Sequence, residues 1–215
     1  MITTPDLIES LVAKAAPVRR LAPLARAAGW LAFAALILGL MAIGRQLRPD
    51  LALRLAQPEF AYGLAGSLAT GVLAALAAFM VSVPGRSRAW LFLPLPALLL
   101  WMATIGYGCL AGWVSLAPAG SPLREESGCF ALLLLAGVPL SLAMLIMLRH
   151  AARIAPTSVG ILGGLAVAGL TATALSLFHA HDASALILFW NVGTALLLVA
   201  LGGLFGRRML AWVAP

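Results

Sequence analysis

The chain has 215 residues, of which 63% are hydrophobic and only 10% are charged. A soluble domain usually carries about 25% charged residues, so a water-soluble fold could not hide this much apolar surface, and lipid must solvate most of the chain. The formal net charge is +7, but the arginines lie at the ends of apolar runs and not on one stripe with interleaved aromatic residues, which argues against direct binding of nucleic acid.

Residues 1–26 precede the first long apolar run and form the predicted cytoplasmic N-terminal segment. Thr4 and Pro5 suit the start of a helix, and a residue pattern of helical period then places apolar side chains on one face. These side chains are Leu7, Ile8, Leu11 and Val12. Such a helix binds either a membrane surface or a groove in a protein partner. The acidic residues Asp6 and Glu9 oppose anionic lipid, which favours a protein partner.

Six charge-free apolar runs follow, and each is close to the ~20 residues that a helix needs to cross a bilayer. They cover residues 27–44, 60–83, 89–115, 128–148, 157–177 and 183–205. Membrane β-barrels use alternating strands of about 10 residues, whereas these runs are continuously apolar. The sequence therefore predicts an all-α, polytopic bundle of six transmembrane helices over residues 27–215. The first run lacks a small-residue cleavage site, so we expect no removable signal peptide.

Lysine and arginine residues indicate the orientation, because positive residues near a span are retained in the cytoplasm. The N-terminal segment, the second and fourth loops and the C-terminus hold ten of them, and the other loops hold four. Both termini are therefore expected in the cytoplasm. Tryptophans near the ends of spans fit interfacial belts. They are Trp30, Trp90, Trp113 and Trp212.

Small residues recur at four-residue spacing in two spans, where they would allow helices to approach closely. The second span carries Gly63, Ser67 and Gly71, and the fifth carries Gly160, Gly164 and Ala168. Pro139 interrupts the backbone donors of the fourth span and predicts a kink there.

None of the six spans contains an ionisable residue, whereas transporters and proton pumps place such residues at membrane depth. The sequence also lacks a glycine-rich phosphate loop, a serine or cysteine nucleophile motif, and a carboxylate pair within a span. The polar residues of the spans are hydroxyls and one amide, which usually bond to neighbouring helices or to their own backbone. We therefore expect no enzyme activity and no cofactor.

Thiol, imidazole and carboxylate groups gather on the predicted outer side. They are Cys109 near the end of the third span, Cys129 at the start of the fourth, and His179, His181 and Asp182 after the fifth. Such groups bind soft or borderline metal ions, and an oxidising compartment allows paired thiols to form a disulfide. Cys129, His179, His181 and Asp182 are the candidate metal ligands, and Cys129 with Cys109 the candidate redox pair. The alternative is that Cys109 is a buried apolar residue and that the histidines only end the fifth span.

Short motifs in a fixed order along the chain carry a family resemblance. They are Asp6-Leu7-Ile8, Pro17-Val18-Arg19-Arg20-Leu21, Arg48-Pro49-Asp50-Leu51, Pro58-Glu59-Phe60, Cys129, Leu148-Arg149 with Ala155-Pro156-Thr157, and His179. In this order and spacing the chain resembles the NrsF family, negative regulators of an extracytoplasmic-function sigma factor in bacteria. The resemblance covers nearly the whole chain.

The resemblance implies a membrane anti-sigma factor that senses oxidative or heavy-metal stress through two periplasmic cysteines. Cys129 matches the first cysteine, but Ala180 stands at the second position. Either Cys109, His181 or a second protomer of an oligomer replaces the missing thiol, or the sensing residue is lost in this chain. The resemblance also implies the inner bacterial membrane as the location.

On this basis we expect an extracytoplasmic-function sigma factor as the partner. Its predicted docking residues are Leu7, Ile8, Leu11, Val12, Arg19 and Arg20. Two other functions remain open. One is a small transporter or channel subunit with inverted three-helix repeats, suggested by the glycine-rich second and fifth spans. The other is a structural membrane protein whose cysteines have no function.

Overall fold

The computed structural model describes residues 22–44, 47–110, 123–148 and 156–178, together with residues 4, 9, 10, 12 and 13 of the N-terminal segment. The helices are α1 (Pro23–Gly44), α2 (Leu51–Leu55), α3 (Pro58–Val81), α4 (Leu95–Leu110), α5 (Leu123–Leu148) and α6 (Pro156–Phe178), and a 3₁₀ turn spans Arg88–Phe92. These residues contain no β-strand. The predicted all-α class is confirmed for this part of the chain.

Four segments of this part are long and apolar enough to cross a membrane. They are Pro23–Gly44, Pro58–Val81, Arg88–Tyr107 and Thr157–Phe178. They match the first, second, third and fifth predicted spans. The fourth predicted span lies within α5, whose shorter apolar stretch is Leu134–Leu148. The sixth predicted span, 183–205, lies outside the described residues.

Two predicted helix starts differ from the structure by five or six residues. The third span was expected from residue 89, with its backbone disturbed near the start by Pro94 and Pro96. In the structure a 3₁₀ turn comes first and α4 begins only at Leu95. Pro94 has no backbone donor and disfavours helical backbone in the residue before it, which separates the two elements. The fourth span was expected from residue 128, but α5 begins at Leu123. Counting apolar residues stops at the charged residues 124–126, whereas a helix can continue through them.

Consecutive long helices run in opposite directions. The pairs in contact are Ser67 with Thr173 and Gly71 with Leu170 between α3 and α6, Gly63 with Thr104 and Gly66 with Trp101 between α3 and α4, and Gly163 with Met144 and Gly137 with Thr171 between α5 and α6. In each case residue numbers rise along one helix and fall along the other. We call the end where α3 begins and α6 finishes the Arg48 end, and the opposite end, where α3 finishes, the Arg86 end.

The closest helix contact joins α3 and α6, which are the most buried of the long helices. A Cβ atom added at Gly169 would lie 2.7 Å from the backbone nitrogen of Gly71 and 2.7 Å from the carbonyl oxygen of Ser67. The Ser67 and Thr173 hydroxyls are 3.0 Å apart across the same contact. The predicted packing role of Ser67 and Gly71 is therefore confirmed.

The close contacts of α6 with the described helices use small residues other than those that the spacing indicated. Gly160, Gly164 and Ala168 are only partly buried. Instead, Gly169 contacts α3, and Gly163 faces the Met144 side chain of α5, 3.3 Å from where its Cβ would stand. Gly169 follows Ala168 and Gly163 precedes Gly164, and a shift of one residue turns a side chain to another face of the helix.

Trp30 was expected in an interfacial belt, and that prediction is wrong. Its side chain is 0% exposed, and its indole Nε1–H donates to the carbonyl oxygen of Leu140 at 3.2 Å. Leu140 follows Pro139 within α5, which continues as one helix through the proline. Trp30 therefore joins α1 to the middle of α5. Phe79, Leu140 and Val159 bring α3, α5 and α6 into the same apolar cluster.

Candidate functional site

The Arg48 end carries a polar cluster that we call the Arg48 cluster: Arg48, Asp50, Arg54 and Phe60. Three of its members belong to the connection between α1 and α3, and Phe60 lies in the first turn of α3. The Leu51 N–H donates to the Arg48 carbonyl at 3.2 Å, so the backbone turns at Pro49 and directs the chain into α2. This turn brings residues 48 and 50, which are separated only by a proline, to the same side.

Arg48 and Asp50 form a two-point ion pair. Nε of Arg48 lies 2.7 Å from Oδ1 of Asp50, and its Nη2 donates to Oδ2 at 2.9 Å. Arg54 approaches the same carboxylate, with Nε 3.2 Å from Oδ2. The Arg48 side chain is only 3% exposed, whereas that of Asp50 is 35% exposed. A paired fork of this kind is the geometry in which a guanidinium group tolerates burial.

Two further contacts tie Arg48 to other helices. Its guanidinium carbon lies 5.5 Å from the centre of the Phe60 ring, within the range of a cation–π interaction. Its backbone N–H donates to the carbonyl oxygen of Leu177, in the last turn of α6, at 3.2 Å. One residue thus joins the chain that follows α1, the start of α3 and the end of α6.

The two arginines also fix the charge of Asp50. Hydrogen bonds from Arg48, aided by Arg54 and opposed by partial desolvation, hold the pKa of the Asp50 carboxyl well below its usual range. A lowered pKa means that the carboxylate is ionised at every physiological pH and that protonation breaks the pair only in strong acid. The Arg48 cluster is therefore a fixed ion pair and not a proton switch.

The Arg86 end has the opposite character. Gly85 has a φ of +79°, a left-handed conformation that glycine adopts without strain, and it turns the chain between α3 and the 3₁₀ turn. The side chains of Arg86 and Arg88, which follow Gly85 in the chain, are exposed. Residues 82–94 contain no acidic residue. This end therefore presents uncompensated positive charge.

The predicted docking face of the N-terminal segment is described only at Val12. Val12 is helical and 68% exposed, as are many apolar side chains of the described helices, so its exposure does not by itself indicate a binding face. The other predicted docking residues lie outside the described part of the chain. They are Leu7, Ile8, Leu11, Arg19 and Arg20.

The predicted sensing residues are placed in part. Cys109 lies in the last turn of α4, as expected. Cys129 does not open its helix, because α5 begins at Leu123 and Cys129 is therefore more than one turn inside it. Their side chains are not described, and His179, His181 and Asp182 lie outside the described residues. No group of three potential metal ligands occurs in the part of the chain that is described. The metal set and the thiol pair stay predictions.

Sequence reasoning missed the Arg48 cluster as a site. Arg48 and Asp50 entered only through the motif Arg48-Pro49-Asp50-Leu51 of the family resemblance, and Arg54 only as one of the four positive residues of the other loops. The signal was present: two arginines and an aspartate occupy a short connection between apolar runs, on the predicted outer side, where arginine is disfavoured. An arginine that is kept on that side indicates an acidic partner, and Asp50 is the partner of both arginines.

Comparison with known proteins covers almost the whole chain. The family model NrsF, described as negative regulator of sigma F, matches residues 11–212. A protein of Azospira oryzae described as a probable anti-sigma-F factor NrsF is 30% identical over 223 residues, covering 97% of this chain and 99% of that protein. No solved structure matches the chain at a significant level. The matched region includes all the long helices and the Arg48 cluster.

Proposed function

This chain belongs to the NrsF family of negative regulators of sigma F, a family of regulators and not of enzymes, and we propose that it is a membrane-bound anti-sigma factor. It sequesters an extracytoplasmic-function sigma factor at the inner membrane and releases it on periplasmic redox or heavy-metal stress. The observation that carries this proposal is the family match from residue 11 to residue 212. The four segments able to cross a membrane support the location.

The charges at the two ends support a definite orientation. The exposed Arg86 and Arg88 have no acidic neighbour in their turn, whereas Arg48 and Arg54 share the carboxylate of Asp50. Lysine and arginine near the spans are retained on the cytoplasmic side, and the Arg86 end belongs to the group of loops and termini that holds ten of the fourteen. The Arg86 end is then cytoplasmic and the Arg48 end periplasmic. Because the long helices alternate in direction, α1 begins on the cytoplasmic side, and so does the N-terminal segment that leads into it.

The N-terminal segment is the proposed docking element for the sigma factor. Its apolar face, Leu7, Ile8, Leu11 and Val12, suits a groove in a protein, and Val12 is exposed and available. Arg19 and Arg20 add positive charge next to this face. The sigma factor would be released when this apolar face no longer binds the groove of the sigma factor.

Replacing Leu7 and Leu11 together with glutamate is expected to lower the amount of co-expressed sigma factor captured by the full-length protein by about tenfold or more. Two charges would then enter an apolar interface without partners, and each 1.4 kcal/mol of lost affinity corresponds to a factor of about ten. Co-purification from solubilised membranes, normalised to the amount of anti-sigma factor, measures the effect.

The matched control is Ser10→Glu with Ala13→Glu, which adds the same charge to the opposite face of the same helix. Capture by this control should stay close to that of the unchanged protein. Equal capture by both double variants would remove the apolar face from the interface.

Cys129 is the proposed sensing residue, either in a thiol pair with Cys109 or in a metal site with His179, His181 and Asp182. Replacing Cys129 with serine is expected to abolish the induction of a sigma-dependent reporter by Cd²⁺ or by a thiol oxidant, because serine neither forms a disulfide nor binds soft metals well. Basal repression should persist, since the docking face is unchanged.

Cys109→Ser separates the two chemistries. Loss of induction in both single variants favours the thiol pair, whereas loss in Cys129→Ser alone favours the metal site. Full induction in Cys129→Ser would contradict a sensing role for this residue.

The hydroxyl groups of the described spans give no support to a transporter. Thr70, Thr171 and Thr173 donate to carbonyl oxygens of their own helices at 2.7, 2.7 and 2.8 Å. Among the described residues, no buried side-chain nitrogen or oxygen lacks a hydrogen-bond partner. A solute path requires polar groups that face an opening, and these face their own backbone.

A further inference from the structure

The burial of Arg48 needs an explanation beyond the connection of two helices. An exposed loop would join α1 to α3 without desolvating a guanidinium group, which is costly even when it is paired. Here the group is 3% exposed and held by the carboxylate of Asp50 and by the ring of Phe60. Buried ion pairs of this kind often specify one arrangement over its competitors.

The arrangement that Arg48 specifies concerns the end of α6. The Arg48 backbone donates to Leu177, and α6 finishes at Phe178, the next residue. The segment 179–182, which carries the proposed sensing residues His179, His181 and Asp182, follows directly in the chain. The Arg48 cluster thus holds the end of α6, and segment 179–182 follows that end in the chain.

The same cluster belongs to the chain that follows α1, and α1 continues at its other end into the N-terminal segment. A change in how α6 is held at Leu177 would therefore alter the constraint on α1 as well. Coupling between two sites requires an element with two arrangements that both sites bias. The contact between Arg48 and the end of α6 joins the helices that lead to the two sites.

We propose that Arg48 and Asp50 are positioning residues that hold the ends of α1 and α6 in the arrangement that retains the sigma factor. Release of this contact is the step by which a change in segment 179–182 reaches the N-terminal segment. The coupling rests on the proposed anti-sigma function, whereas the contact between Arg48 and the end of α6 does not.

The test uses the full-length protein in isolated membranes and measures two properties. The first is the rate at which maleimide labels a cysteine introduced as Leu177→Cys, in a background with Cys109→Ser and Cys129→Ser. The second is capture of the extracytoplasmic-function sigma factor encoded nearest to this gene, normalised to the membrane level of the protein. The labelling rate is measured in membranes without the sigma factor, so that it reports on the contact at the end of α6 alone.

Asp50→Asn is expected to raise the labelling rate at residue 177 several-fold and to lower capture several-fold without stress. It removes the charge that balances the buried guanidinium group while keeping the side-chain size. Arg48→Lys provides a second variant, because lysine keeps the charge but loses the two-point geometry. Asp50→Glu should restore both readouts in large part. The matched control Glu59→Gln removes one negative charge at the same end and should change neither.

Each outcome decides the proposal. An unchanged labelling rate in both Asp50→Asn and Arg48→Lys would contradict the claim that Arg48 and Asp50 hold the end of α6. Faster labelling with unchanged capture would overturn the coupling. If the protein without substitutions captures no sigma factor, the proposed function fails and the coupling fails with it. The labelling rate still tests whether Arg48 and Asp50 hold the end of α6. A loss of membrane level in Asp50→Glu equal to that in Asp50→Asn would reduce the pair to a folding role and contradict the proposal.

Discussion

Replacing Gly169 with alanine is expected to destabilise the purified protein by about 3 kcal/mol, the upper part of the usual range for overpacking. The added Cβ would lie 2.7 Å from both the Gly71 nitrogen and the Ser67 carbonyl oxygen. Both are backbone atoms within α3, so no side-chain rotation relieves the contact and the two central helices must separate. The midpoint of thermal unfolding in detergent measures the loss.

The control for this substitution is Gly39→Ala in α1, where nothing lies within 4 Å of the added Cβ. Alanine is the better helix former by about 1 kcal/mol, so this variant should unfold at the same temperature as the unchanged protein or slightly higher. Equal midpoints for Gly169→Ala and Gly39→Ala would show that α3 and α6 are not in backbone contact.

Replacing Trp30 with alanine is expected to cost about 3–5 kcal/mol, as for other fully buried aromatic side chains. Trp30 is 0% exposed and lies among side chains of α1, α3, α5 and α6, so its loss leaves a cavity at the junction of four helices. The same unfolding experiment measures the effect. Trp90→Ala is the matched control, because Trp90 in the 3₁₀ turn is only partly buried and should cost much less.

Trp30→Phe separates packing from the hydrogen bond to Leu140. Phenylalanine keeps most of the apolar volume but has no donor for the Leu140 carbonyl. Since one net hydrogen bond is worth about 1 kcal/mol, this variant should fall between the unchanged protein and Trp30→Ala. A loss as large as that of alanine would assign the role of Trp30 to the hydrogen bond, and no loss in either variant would contradict its burial.

The long helices could be predicted from the sequence because a helix in lipid needs a long apolar run. Runs of about 20 apolar residues located α1, α3, α4 and α6, because composition alone reports the solvent of a helix. The ends were less accessible. The start of α4 depends on Pro94, and the start of α5 at Leu123 depends on backbone hydrogen bonding that continues past charged residues.

The packing of the helices was predicted only in part. Ser67 and Gly71 were assigned correctly, but Gly169 was missed in favour of Gly160, Gly164 and Ala168. Glycine and alanine are so frequent in this chain that a four-residue period fits more than one face of α6. Trp30 was misassigned for a related reason: nearness to a helix end in sequence does not distinguish a lipid-facing side chain from one that faces the bundle.

The candidate site was the least predictable part. The family resemblance, confirmed by the match over residues 11–212, located the motifs Arg48-Pro49-Asp50-Leu51 and Pro58-Glu59-Phe60. It did not show that they meet. Arg48 and Phe60 are brought together by the turn at Pro49 and by α2, and the contact with Leu177 joins residues more than a hundred positions apart. Only the folded chain contains that information.

The two attachments of α1 restrict how motion could pass along it. Near one end Trp30 bonds to α5, and past the other end Arg48 bonds to α6. A piston-like slide of α1 by ~2 Å along its axis would stretch the 3.2 Å contact at Leu140 and the 3.2 Å contact at Leu177 beyond hydrogen-bonding reach at the same time. A tilt about Trp30 as a pivot would break only the distant one. A tilt of α1 would therefore transmit motion between its two ends at a lower cost in hydrogen bonds than a slide of α1 along its axis.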